Sequence, residues 1–142
     1  MSFNAMYDTS GSATIRVRAQ INGMSIHALI DGGSSNSFLQ PIIAKFLNLT
    51  AQPVPGFCVM VGNFELMTTN EYIPSIEVIM QGYTVQILEV YVVNVARGDM
   101  VNGTTWLKQL GAHIVEYQHS FIRFLHEGAF VTIFGKIAQM SA

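Results

Sequence analysis

Leu29-Ile30-Asp31-Gly32-Gly33-Ser34-Ser35 is the stretch whose reading decides the fold. The run before it, 27–30, is apolar and delivers one carboxylate into a Gly-Gly-Ser-Ser loop; Phe38-Leu39 then resumes the apolar character. Of the three aspartates, Asp8, Asp31 and Asp99, only Asp31 ends a buried-looking strand and enters a turn where backbone can approach a ligand closely. An Asp before glycines also serves as a plain turn residue, accepting local backbone hydrogen bonds. Three features favour a chemical role instead. The strand ahead is apolar, Gly33 leaves room for a backbone N–H to face the carboxylate, and the Ser34 hydroxyl is a donor that favours its charged form. A separate segment, Val101-Asn102-Gly103, precedes a short helix and is placed to pack beneath the loop.

Outward from that loop, the chain reads as many short strands. Residues 13–30 form a hairpin: Ile15, Val17 and Ala19 alternate with Thr14, Arg16 and Arg18, and Asn22-Gly23 tolerates the positive φ of a two-residue turn. Residues 40–47 suit a short helix with Pro41 in its first turn and apolar residues at 42, 43, 46 and 47. Pro53-Val54-Pro55-Gly56 is expected to break the chain. A second hairpin, 57–61 and 64–68, follows with Gly62-Asn63 at its tip. Residues 72–80 and 83–95 are two further strands split by Gln81-Gly82. Thr104 or Thr105 is expected to cap a helix over 106–110 that Gly111 stops, and 113–134 gives two or three strands turning at Gln118-His119 and Glu127-Gly128. The fold class is all-β, closed or sandwiched, with one or two short helices. Residues 1–12 are expected to be an arm, 13–135 the domain and 136–142 a tail.

With 142 residues the chain makes one domain. Half of it is hydrophobic and only 11% is charged, a surplus of apolar surface that suggests burial against a second copy. A net charge of -2 with 7 Lys and Arg offers no footprint for nucleic acid, and Arg16 with Arg18 reads as a solvated strand face. The single cysteine, Cys58, forms no internal disulfide and is expected to pack in its apolar stretch. No apolar run reaches membrane-spanning length and no secretory signal opens the chain, so the expected location is intracellular and cytoplasmic. His27, His113, His119 and His126 have no metal-ligand spacing with Cys58, and the serines lack a nucleophile-elbow pattern. No metal or cofactor is expected.

Ala28-Leu29-Ile30-Asp31-Gly32-Gly33-Ser34-Ser35-Asn36-Ser37-Phe38 resembles the active-site segment of retropepsins, the aspartic proteases of retroviruses and LTR retrotransposons. It is most similar to the plant gypsy-type form A-L-I-D-S-G-S-T-H-N-F. Pro55-Gly56-Phe57-Cys58-Val59-Met60-Val61-Gly62-Asn63 resembles the family's flap region. Asp99-Met100-Val101-Asn102-Gly103-Thr104-Thr105-Trp106-Leu107-Lys108-Gln109-Leu110-Gly111 is similar to D-V-V-L-G-x-x-W-L-x-x-L-G, and His126-Glu127-Gly128 matches the tail of the same polyprotein segment. The likeness runs in order through most of 13–130.

The resemblance implies a closed β-barrel subunit acting as a homodimer, with each copy donating one Asp to a pair that shares a proton. It implies an aspartic endopeptidase that cleaves extended segments of a retrotransposon polyprotein, associated with the polyprotein or particle. Asp31 would be the catalytic acid/base, with Gly32, Gly33, Ser34 and Ser35 forming the active-site loop. The 59–68 hairpin would be the flap, with Val61, Gly62, Asn63 and Phe64 meeting substrate. Ile30, Val101, Asn102, Gly103, Trp106 and Leu110 would be support. Two positions depart from the pattern. Gly32 stands where the family has a Ser or Thr whose hydroxyl reaches across the dimer axis. Asn102 stands where it has a buried aliphatic residue, and a buried amide needs partners, for which the Asp31 loop is the candidate. These departures support an alternative: a catalytically weak or inactive domain of the same fold, used for dimerisation or peptide binding.

Overall fold

The computed structural model describes residues 14–61, 65–95 and 98–136. Within them lie ten strands and two short helices, in the order β1 (Thr14–Ile21), β2 (Met24–Asp31), β3 (Ser37–Leu39), α1 (Pro41–Phe46), β4 (Gln52–Val61), β5 (Glu65–Met80), β6 (Tyr83–Val92), β7 (Met100–Asn102), α2 (Thr104–Gln109), β8 (His113–Glu116), β9 (Phe121–His126) and β10 (Ala129–Phe134). The first hairpin turns at Asn22 and Gly23, both at positive φ, and pairs Thr14 with Asp31. Gln81 and Gly82, then Glu127 and Gly128, make the same kind of turn.

Seven strands form one sheet in the order β1-β2-β7-β3-β6-β5-β4, and a Gln20–Ile79 pairing of β1 with β5 curls it closed. Alternation along β1 sends Ile15, Val17, Ala19 and Ile21 inward, where they meet Ile26, Ala28, Ile30, Val78, Met80 and Ile87. Each of these side chains larger than alanine contributes about 1.5–3 kcal/mol on leaving water. Arg16 and Arg18 point outward. The remaining strands, β10-β9-β8, form a second sheet whose inner face (Ile122, Phe124, Val131 and Ile133) joins the same core.

Chain order and spatial order part company at β7. It lies parallel to β2 and antiparallel to β3, wedged between them, with Ile30 opposite Asn102 and Phe38 opposite Val101. The end of β2, the start of β3 and the entry to α2 therefore converge, and the Asp31 loop is what they enclose.

Several local expectations are corrected. Pro53 and Pro55 do not break the chain: they lie in β4, the edge strand, where a missing N–H costs no ladder bond, and a bulge between Pro53 and Phe57 with Gly56 at φ 62 absorbs the irregularity. Residues 64–68 and 72–80 are not separate strands, since β5 runs unbroken from Glu65 to Met80, and β6 stops at Val92. On α1 only Ile43 and Ala44 are buried; Ile42 and Phe46 face outward, because a six-residue helix lays a single narrow stripe on the core. The residue that caps α2 is Gly103, not a threonine. Cys58 is exposed, because strand alternation gives the inward position to Val59. The tip residues Gly62, Asn63 and Phe64 lie outside the described residues, as do the arm at 1–12 and all but Lys136 of the tail.

Candidate active site

Asp31 is the last residue of β2 and is buried, at 3% exposure. Its carboxylate is held from within its own loop. The Gly33 amide donates to Oδ1 at 2.8 Å, and the Ser34 hydroxyl donates to Oδ2 at 2.9 Å. A β-carbon at Gly33 would stand 3.2 Å from Oδ1, so the glycine permits this close approach. The Ser34 amide closes the turn onto the Asp31 carbonyl at 3.2 Å. A buried carboxylate held by one amide and one hydroxyl keeps a fixed orientation.

The loop is in turn clamped onto the start of α2. Thr104 donates to the Ser34 carbonyl through both its amide and its hydroxyl, each at 2.8 Å, and the Thr105 amide reaches the Ser35 carbonyl at 3.3 Å. The Gly103 amide donates to the buried Ser37 hydroxyl at 3.1 Å. Gly103 has no room for a side chain: a β-carbon there would lie 2.6 Å from the Ser34 carbonyl oxygen and closer still to that of Asn36. On its other side the loop meets β4, where the Ser35 amide donates to the Met60 carbonyl at 3.2 Å and the Ser35 hydroxyl lies 3.4 Å from the same oxygen.

A second apolar cluster lines this region: Leu29, Phe38, Val59, Tyr91, Val93, Val95 and Val101, joined by the rings of Phe57 and Tyr72. Phe57 stacks on Tyr91 with centroids 4.6 Å apart. Burial, the Glu89 charge and Tyr72 together push the Tyr91 phenol above its ordinary pKa. Asp99 accepts from the His27 amide at 2.8 Å. That fastens it four residues back along β2 from Asp31, a separation of about 13 Å at strand rise, so it is no partner for the Asp31 carboxylate.

No family model matches the chain, and no curated protein matches it in sequence. Among solved structures it is similar to the retroviral protease-like domain of Ddi1 from Leishmania major, with a TM-score of 0.62 at 15% identity, over 92% of this chain and 98% of that one. The fold is retropepsin-like. A retropepsin-like aspartic protease from Rickettsia conorii is also similar, with a TM-score of 0.49 and 16% identity over 72% of this chain and 76% of that one.

The retropepsin-like arrangement brings Ile30, Asp31, Gly32, Gly33, Ser34, Ser35, Val101, Asn102 and Gly103 together around one loop. Val61 ends the β4 side of the β4–β5 ribbon, which is laddered from Phe57 with Thr69 to Val61 with Glu65. Trp106 is fully buried against Phe124, and Leu110 packs at the edge of the core. Asn102 departs from its expected role. It is fully buried, yet neither its amide nitrogen nor its oxygen meets a hydrogen-bond partner among the described residues, and it makes no bond to the Asp31 loop. Its place on β7, level with Ile30, puts it beneath the strand end, below the loop's own polar groups.

Three contributors escaped the sequence reading: Ser37 and Thr104, which supply the clamp, and Tyr117, whose hydroxyl oxygen lies 3.6 Å from where a β-carbon on Gly32 would stand. Nothing local distinguishes these hydroxyls, since each acts on a residue distant along the chain.

Proposed function

We propose that this protein is a homodimeric aspartic endopeptidase whose catalytic pair is Asp31 from each of two copies. The observation that carries the reading is the buried Asp31 carboxylate at a strand end, with both oxygens held by loop donors and the loop locked to α2. Hydrolysis without a covalent intermediate needs one group to take a proton from water and another to protonate the carbonyl oxygen. Two facing carboxylates with one shared proton do both, because like charges at short range do not both ionise. The ionised member takes the water proton as hydroxyl adds to the carbonyl carbon, while the protonated member gives its proton to the carbonyl oxygen. In the collapse of the tetrahedral diol one carboxylate takes a hydroxyl proton as the carbonyl re-forms, the other carboxyl gives its proton to the amine, the C–N bond breaks, and the pair again holds one proton.

The second copy is supported by the surface. On the outer face of the three-stranded sheet Ile114, Leu125, Phe130 and Phe134 are exposed, and Leu125 pairs across the ladder with Phe130. Gly135, just past Phe134, packs on Ile15, whose neighbour Thr14 is paired with Asp31. One end of the apolar face thus lies beside the loop, and a symmetric partner seated there brings the two loops together. Substrate would lie extended between the paired Asp31 loops and the β4–β5 ribbon, adding a strand. By the motif likeness to plant gypsy-type elements, the substrate is the polyprotein of such an element, processed in the cytoplasm.

The test is cleavage of an extended peptide library at acidic pH with and without pepstatin, beside Asp31→Asn. Pepstatin-sensitive cleavage by the wild type and none by Asp31→Asn is the expected result. Equal inactivity of both proteins as intact dimers would leave the binding-domain alternative in its place.

A further inference from the structure

Gly32 is not a glycine that its backbone requires. Its φ lies outside the left-handed region, unlike that of Gly23, Gly56, Gly82, Gly111 and Gly128. Chain neighbours apart, a β-carbon built there meets one atom within 4 Å, the hydroxyl oxygen of Tyr117 at 3.6 Å, which is ordinary van der Waals contact. Tyr117 belongs to the turn between β8 and β9, more than eighty residues on, so the tertiary fold alone sets a phenol beside Gly32, while Gly33 faces the Asp31 carboxylate instead.

Electrostatics agrees with this placement. Burial first, and then the Asp31 charge, push the Tyr117 phenol above its ordinary pKa. It therefore stays protonated through acidic and neutral pH and remains a neutral hydrogen-bond donor. Such a donor in the field of a carboxylate adds no competing charge.

We infer that Tyr117 is a positioning residue for Asp31: its phenol stands in for a hydroxyl side chain at position 32 and pins the active-site loop to the β8–β9 turn. The inference rests on reading Asp31 as the catalytic carboxylate, but its decisive measurements need no catalysis.

In the whole protein, amide hydrogen exchange at Gly33 and Ser34 is compared among wild type, Tyr117→Phe and the double variant Tyr117→Phe/Gly32→Ser. Loss of the hydroxyl should speed exchange at those two amides about tenfold while β1 and β2 stay protected. A serine at position 32 should return it to the wild-type rate, a rescue that a purely structural ring would not show. Separately, the Tyr117 13Cζ resonance should move in Asp31→Asn, a variant that leaves the tyrosine in place. Loop exchange unaffected by Tyr117→Phe, absence of rescue, or a Tyr117 resonance indifferent to Asp31 would each overturn the inference. Where cleavage is measurable, Tyr117→Phe should lower kcat about tenfold with KM unchanged. Absence of cleavage in every variant, wild type included, would count against the protease reading, and the exchange data would still decide Tyr117.

Discussion

The Ser34 carbonyl oxygen accepts two hydrogen bonds from Thr104, one from its amide and one from its hydroxyl, both at 2.8 Å. This joins the Asp31 loop to a helix seventy residues away and makes Gly103 the tightest point of the junction. Its amide donates to the Ser37 hydroxyl, and a β-carbon there would overlap backbone carbonyls of the loop.

Gly103→Ala should therefore destabilise the protein by about 3 kcal/mol or more, because backbone, unlike a side-chain tip, does not yield cheaply. Urea unfolding measures this, and a variant within 1 kcal/mol of wild type would contradict the packing described.

Asn102→Leu should act in the opposite direction. The amide is fully buried and meets no hydrogen-bond partner among the described residues, and an unsatisfied buried polar group costs about 1–3 kcal/mol. A leucine, which branches at the same carbon, should raise the unfolding free energy from urea titration by about 1 kcal/mol or more, with cleavage retained. A lower value would mean that the amide is satisfied.

Leu125→Glu combined with Phe134→Glu places two charges on the exposed face of the three-stranded sheet without touching its core side. Sedimentation should report a monomer at concentrations where the wild type is a dimer, and cleavage should vanish with secondary structure unchanged. Persistence of the dimer would move its seam elsewhere.

Alkaline stability follows from two tyrosines. Tyr117 is raised by burial and by Asp31, and Tyr91 by burial, Glu89 and Tyr72, so the folded state holds both protons more tightly than the unfolded chain, with the share of Tyr117 reduced by solvent because the residue is 42% exposed. Their contribution is intact below the ordinary tyrosine value of about 10 and is lost as pH rises through the folded values. Urea midpoints should fall above about pH 10, and Tyr117→Phe should flatten that fall. Parallel curves for the two proteins would contradict the shift at Tyr117.

Glu116 moves the other way. The His119 amide and then its ring hold the Glu116 carboxylate below its ordinary range, but the pair is on the surface and its effect on stability is small.

Much of the local structure was legible because it is written in neighbouring residues. Asn22-Gly23 turns where its tolerance of positive φ predicts, Glu127-Gly128 turns where the strand breaks place it, and alternation along 14–19 assigns the faces of β1 correctly. Pro53 and Pro55 misled because proline forbids a ladder bond only where the strand has a neighbour on that side, and edge position is a property of the sheet. Cys58 and Ile42 misled in the same way, since an apolar residue's fate depends on which face the assembled sheet or helix turns inward.

By itself the sequence determined the turns, the strand periodicity and an acid-bearing Asp-Gly-Gly-Ser loop at the end of an apolar strand, because short-range sterics and two-residue alternation need only adjacent side chains. The tertiary structure alone decided that β7 slips between β2 and β3, that Gly103 locks onto Ser34 and Asn36, and that the Tyr117 hydroxyl stands over Gly32. Those contacts join residues tens of positions apart, and no local preference encodes them: they arise when the core closes and the buried backbone groups must find partners.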